Sequence, residues 1–344
     1  MMRKRVYEVD LLRFIGAFMI LLFHYTFRGY AADHMTAMPY PYLRCCTKYG
    51  YVGVDLFFIV SGFVVFMGTA CQGSASRFLI ARVVRLYPAF WVCCTTTFLA
   101  TLVVGGDRYT ATLHQYLINL TLLSGFVNTP LIDGAYWVVF VEMRFYFLVF
   151  IVLALRVGAH WERLLILWLA VSLLLIECDV SHLKYLKYLL MCDYSPYFIA
   201  GAMFYRIYDL GVSGSRLFAT AIACGWCIRL AASTTVGMSS HYATSFSPII
   251  VAAILASFFG VFLFVSAKRT TWLSTSKWLF LGGLTYPLYL VHQNVGFMLF
   301  NVLYPSLNVH LIMWATVVAM LLFAYAVYTV VEQKYAGRLR RLLA

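Results

Sequence analysis

The sequence predicts an all-α polytopic membrane protein, with about ten transmembrane helices in one domain. Three observations carry that expectation. Of 344 residues, 63% are hydrophobic and 11% charged, and the mean hydropathy is +0.84. A soluble domain of this length cannot hide so much apolar surface. Windows of about 20 predominantly apolar residues recur along the whole chain. The cations fall between those windows rather than on one basic face, so the net charge of +13 reads as a topology signal. Nucleic acid is excluded as a partner, because it requires a soluble basic face.

The expected spans are 7–27, 51–70, 88–105, 135–155, 164–178, 190–208, 217–236, 247–267, 279–302 and 310–331. The stretch 113–127, "LHQYLINLTLLSGFV", is too short and polar to cross and predicts an interfacial or re-entrant helix. The first span follows "MMRKRVYEVD", which resembles the charged start of a signal peptide, but no small-residue cleavage site comes after it. It is expected to be retained. No Pro/Gly/Ser-rich linker and no repeat interrupts the pattern, so 1–344 reads as one integral-membrane domain with no appended soluble domain. The nine cysteines, including the adjacent pairs Cys45-Cys46 and Cys93-Cys94, read as small packed hydrophobes, and no metal site is expected.

Orientation follows from counting. With ten spans both termini share a side, which collects seventeen Lys and Arg: Arg3, Lys4, Arg5, Arg77, Arg82, Arg85, Arg156, Arg163, Arg206, Arg216, Lys268, Arg269, Lys277, Lys334, Arg338, Arg340 and Arg341. The opposite side holds six, and Arg13, Arg144 and Arg229 fall within spans. Positive-inside places both termini in the cytoplasm.

Ionisable residues inside apolar segments mark the candidate chemistry. In "DLLRFIGAFMILLFHYTF", Arg13 and His24 are eleven residues apart, and at about 100° per residue they share one face. Asp10, three residues before Arg13, falls near that face. A charge at the bilayer centre costs about 2.5–3.5 kcal/mol, so this stripe points into protein. In "GVDLFFIVSGFVVF", Ser61-Gly62 reads as a close approach of backbones or a bend, or as a hydroxyl lining a substrate passage. In "RFLIARVVRLYP", Arg82 and Arg85 are either topological anchors or a clamp for phosphate oxygens. In "AYWVVFVEMRFYFLVF", Glu142 and Tyr146 are i, i+4 neighbours and Arg144 points elsewhere. Glu142 is expected to form a structural ion pair or to serve acid/base or orienting chemistry. "LTYPLYLVHQN" sets His292 midway along the ninth span, as a packing residue or a second candidate base.

Taken in order, these pieces resemble the acyltransferase-3 family of integral-membrane acyltransferases. Arg13 and His24 match its R-x10-H motif, with Asp10 at the acidic position before it, and "FFIVSGF", "RVVRLYP", "WVVFVE" and "TYPLYLVH" match its other landmarks. The resemblance covers essentially the whole chain. It implies a bacterial inner-membrane enzyme that moves an acyl group, commonly acetyl, from cytoplasmic acyl-CoA to a hydroxyl. The usual acceptors are sugars of envelope polysaccharide, lipopolysaccharide or exported glycans. Acyl-CoA is then a donor substrate, not a bound cofactor. "VVEQKYAG" departs from the family in lacking a proline just after Glu332.

On this reading His24 is the general base, with Arg13, Asp10 and Glu142 completing the catalytic set. Arg82 and Arg85 meet the donor phosphates, and Ser61 lines the passage. Trp137, Tyr146 and His292 join the substrate-binding set, Trp137 toward the acceptor. The tyrosine-rich loop 28–50 suits stacking on a sugar. A small hydroxyl compound such as a macrolide is an alternative acceptor. Rival classes are a secondary transporter, which would use the same buried charges as relays, and a non-catalytic scaffold of a glycan-assembly complex.

Overall fold

The computed structural model describes residues 5–31, 33–72, 74–178 and 181–335. Arg3, Lys4, Arg338, Arg340 and Arg341 of the charge count lie outside them. Among the described residues the secondary structure is helical, without strands. Helix α1 runs Tyr7–Phe23 and continues through a π-turn, His24–Arg28, to Ala31. It is followed by α2 (Gly53–Gln72), α3 (Ala75–Val104), the short α4 (Leu113–Leu120), α5 (Trp137–Ala154) and α6 (Trp161–Glu177). Next come α7 (Ser195–Leu210), α8 (Gly214–His241), α9 (Pro248–Ser266), α10 (Lys277–Leu303) and α11 (Val309–Val327), which ends in a second π segment, Tyr328–Tyr335.

All ten expected spans fall in helices, and eight of the described helices are long and apolar enough to cross a membrane. The other two are α7 and α10. Helix α7 has 16 residues, about 24 Å at 1.5 Å per residue, short of a hydrocarbon core of about 30 Å. Helix α10 is long enough at 27 residues but buries Thr285, His292, Gln293 and Asn294 along its length. Polar groups so placed face protein, not lipid.

One expectation needs correcting. The third span starts at Ala75, not near residue 88, because Ser74 caps the helix by accepting from Arg77 N–H and Pro88 is carried inside it. Arg82 and Arg85 therefore sit in a helix interior. The helix within 113–127 ends at Leu120; it rests on α3, with Tyr116 stacked on Phe98 and Trp91 Nε1–H donating to the Leu120 carbonyl.

Helices α2 and α7 form the tightest pair. A Cβ on Gly62 would strike the Phe198 carbonyl, and one on Gly201 the Ile59 backbone, so each helix needs a hydrogen where the other crosses. The close-approach reading of Ser61-Gly62 holds at Gly62. One buried cluster centres on α2, α5, α6, α7, α8 and α9 and takes in residues of α1, α3 and α10, and a second joins α1, α10 and α11. Cys93, Cys94, Cys192 and Cys227 are buried, as small hydrophobes would be, whereas Cys45, Cys46 and Cys178 are exposed; all are free thiols. A C-x-x-C that the sequence reading passed over, Cys224 to Cys227, lies inside α8, one turn apart.

Candidate active site

One cavity, of about 60 Å³, lies nearer the start of α1 and is lined from five helices, with Thr285, Tyr286 and Tyr289 of α10 closing it. Arg13 comes from α1, Ser61 from α2, Arg85 from α3 and Glu142 from α5. Ser61 Oγ–H donates to Glu142 Oε1 at 2.8 Å, and Tyr146 O–H donates to the same oxygen. Glu142 is thus held by two hydroxyls, within Coulombic reach of both Arg13 and Arg85. Arg82 lies behind this cavity, buried, with its guanidinium 5.1 Å from the Phe78 ring centre and 5.3 Å from that of Tyr146. Glu332, on the second π segment, turns toward Arg85 and Arg13, with Oε1 buried and unpartnered.

A larger cavity, of about 510 Å³, lies at the other end of the bundle. Its walls come from the ends of α1 and α8, the middle of α10 and the starts of α2, α5 and α7. His24 and Arg28 stand on one wall, with Trp137, Tyr194, Asp55 and Asp193 on others. Tyr289 lines both cavities. Its hydroxyl donates to the Ala135 carbonyl at 2.9 Å.

The hydrogen bonds fix which nitrogen of each histidine carries its proton. His292 Nδ1 lies 2.8 Å from the Tyr289 carbonyl, which only accepts, so Nδ1 carries the hydrogen and Nε2 is the free lone pair. That Nε2 lies 3.1 Å from His24 Nδ1. His24 Nδ1 is also 2.8 Å from the Ile20 carbonyl, so it donates to both. The remaining His24 lone pair is on Nε2. Arg28 Nη1 donates to it at 3.2 Å. A neutral imidazole with its acceptor nitrogen at a cavity wall is arranged to take a proton from a bound hydroxyl.

A family model described as an acyltransferase domain matches residues 6–329. The chain belongs to the acyltransferase-3 family. It is also similar to Nodulation protein 10 of Rhizobium leguminosarum bv. viciae, with 31% identity over 141 residues. That match covers 36% of this chain and 38% of the relative, so the chain spans well under half of the curated relative it matches. No solved structure matches the chain.

The family motif residues do not form one continuous stripe. Arg13 and His24 share a face of α1 but stand in different cavities, about 16 Å apart along the axis. Asp10 does not line Arg13's cavity but borders it, packed against Gly282 and within Coulombic reach of Arg13 and Arg85, and makes a two-pronged pair with Arg5 at 2.9 Å for each contact. Ser61, Arg85 and Glu142 join Arg13, and Tyr146 is attached through Glu142. Trp137 shares the cavity of His24, and His292 stands behind His24, 1% exposed. Arg144 points away, stacking on Tyr188 at 3.9 Å. Tyr30, Tyr40, Tyr42 and Tyr49 of loop 28–50 are not among the residues lining either cavity.

Sequence reading missed Arg28, Asp55 and Asp193. Arg28 follows His24 by four residues, the spacing of facing helical neighbours, and that signal was available. Asp55 sits two residues into α2, and Asp193 lies before α7; both looked like ordinary charges at span ends.

Proposed function

We propose that the protein is an integral-membrane O-acyltransferase of the bacterial inner membrane. It moves an acyl group, commonly acetyl, from acyl-CoA on the cytoplasmic side to a hydroxyl of a glycan or lipid-linked sugar on the other side. The charge bias, fifteen to six once Arg82 and Arg85 are set inside α3, supports placing the termini and the Arg13 cavity toward the cytoplasm. The observation that carries the reading is the chain Tyr289 carbonyl, His292, His24, which leaves the His24 Nε2 lone pair at the wall of the larger cavity.

Arg85 and Arg13 give the smaller cavity an anion-attracting wall, suited to the phosphate-bearing donor. Glu142, fixed by Ser61 and Tyr146, is a counter-charge within Coulombic reach of those guanidinium groups. At 60 Å³ the cavity must widen for the pantetheine arm to pass Tyr289. The larger cavity suits a polyhydroxylated acceptor: Trp137 and Tyr194 offer flat faces to a sugar ring, and Asp55 and Asp193 accept from its hydroxyls. His24 Nε2 removes the proton of the hydroxyl that attacks the thioester.

The test is acyl transfer in proteoliposomes, with labelled acetyl-CoA supplied on the side of the termini and envelope glycan on the other. Expected is labelled glycan with release of free CoA. A wild-type protein that carries solute across without forming an acylated product would establish the transporter reading instead. Mass spectrometry of envelope glycans from cells with and without the gene identifies the acceptor, a macrolide-type small molecule being the alternative.

A further inference from the structure

We propose that Arg28 is a further catalytic residue of this site, supplying the positive hydrogen-bond donor for the oxyanion that forms during acyl transfer. The proposal rests on the acyltransferase reading above. Arg28 lines the same cavity as His24, and its guanidinium is held by two different partners. Nε donates to Asp33 Oδ2 at 2.6 Å, while Nη1 faces His24 Nε2 at 3.2 Å. Asp33 is itself anchored, its Oδ1 lying 2.8 Å from His241 Nε2 at the end of α8. One edge of the fork is therefore fixed, and the other is aimed at the atom where the proton transfer must occur.

A guanidinium stays protonated in proteins, so Arg28 cannot be the group that removes a proton from His24 or gives one to it. Its contact with Nε2 marks a place that an incoming hydroxyl has to occupy. When the hydroxyl binds Nε2, Nη1–H is displaced by about one atom's width and is left beside the reacting carbonyl. The hydroxyl oxygen then bonds to the thioester carbon, its proton passes to His24 Nε2, and the carbonyl electron pair moves onto oxygen. Arg28 donates to that oxyanion. Collapse restores the carbonyl and breaks the C–S bond; the sulfur keeps the electron pair and takes the proton from Nε2. The products are the acyl ester and free CoA thiol, and His24 returns to its starting state. A fixed cation aimed at developing charge in a site shielded from water is the usual source of the largest rate effect.

The experiment compares kcat and KM of Arg28→Gln, Arg28→Lys and Arg28→Ala in proteoliposomes, with the folded fraction checked by size exclusion in detergent. Arg28→Gln keeps an N–H able to face His24 but not the charge, and is expected to lose about 100- to 1,000-fold in kcat, with both KM values within threefold. Arg28→Lys should retain more rate than Arg28→Gln, and added ethylguanidinium should restore part of the Arg28→Ala rate. A purely structural Arg28 would show neither charge dependence nor rescue. An Arg28→Gln enzyme within tenfold of wild type in kcat, or Arg28→Lys no faster than Arg28→Gln, overturns the assignment. Wild type without acyl transfer sinks the acyltransferase reading first and this proposal with it; the variants test Arg28 alone only against an active wild type.

Discussion

His24 Nδ1 and His292 Nε2 lie 3.1 Å apart although 268 residues separate them in the chain. The contact makes the two histidines unequal. His292 spends its only hydrogen on the Tyr289 carbonyl and its lone pair on His24, so it has nothing left for substrate. His24→Ala is expected to lose about a hundred- to ten-thousand-fold in acyl transfer, the range of general-base catalysis. His24→Gln should be nearly as inactive. His292→Gln removes one orienting hydrogen bond, worth about 0.5–1.5 kcal/mol, and should cost only about two- to tenfold in kcat. Equal losses at the two positions would mean that the ring order is wrong.

Arg82 and Arg85 should separate in a way their spacing does not suggest. Arg85 lines the donor-side cavity, so Arg85→Ala is expected to raise donor KM at least tenfold, a charge-assisted contact being worth about 1.5–3 kcal/mol. Arg82 lies over two aromatic rings, each contact worth about 0.5–2 kcal/mol, so Arg82→Ala should lower Tm in detergent while donor KM stays put. A matching KM shift in Arg82→Ala would place both arginines on the donor.

Glu142 accepts from two hydroxyls, and the consequences of removing it differ by substitution. Glu142→Gln keeps an acceptor oxygen and should fold, yet remove one of the counter-charges that Arg13 and Arg85 share and lower kcat/KM for acyl-CoA. Glu142→Ala also strands the Ser61 and Tyr146 hydroxyls, costing about 1–3 kcal/mol each, and should reduce the folded yield. Circular dichroism melts beside kinetics distinguish the two effects. Wild-type kcat/KM in Glu142→Gln would restrict Glu142 to structure.

The crossing of α2 and α7 leaves no room for a side chain at Gly62 or Gly201. Gly201→Val must push backbone from backbone, at about 1–3 kcal/mol or more. It is expected to lower Tm sharply and the active fraction with it, while Gly260→Val on α9, where a Cβ meets nothing, should be silent. A stable Gly201→Val protein would contradict the packing.

Orientation has its own handle in Cys45 and Cys46, both exposed on the loop after α1. In intact cells of a Cys178→Ser variant, an impermeant maleimide is expected to label this pair from outside. Labelling only after cell lysis would invert the topology.

Much of this was legible in the sequence because lipid imposes simple rules. Every expected span is a helix, since backbone in hydrocarbon must satisfy itself internally. The i, i+4 pair Glu142 and Tyr146 is hydrogen-bonded, and Gly62 marks a close crossing. What local spacing cannot encode is the choice among distant partners. Asp10 pairs with Arg5 rather than lining Arg13's wall, and His292 meets His24 only because α1 and α10 pack together. Helix α3 begins thirteen residues before its expected span because polar Arg82 and Arg85 looked like the outside of a span, when both are turned onto neighbouring helices.

Tyr289 has a further consequence, through its place between the two cavities and its bond to the Ala135 carbonyl. An enzyme that receives reactants from both faces of an energised membrane is always close to being a leak. On the proposed two-sided reaction, the Tyr289 ring shared by both cavity walls is what keeps the bilayer's electrical insulation continuous through the protein. The transmembrane voltage, worth about 2.3 kcal/mol per charge for every 100 mV, then falls mainly across that ring. On that reading His24 stands on the far side of Tyr289, and its proton exchange is expected to follow the far compartment's pH rather than the cytoplasm's.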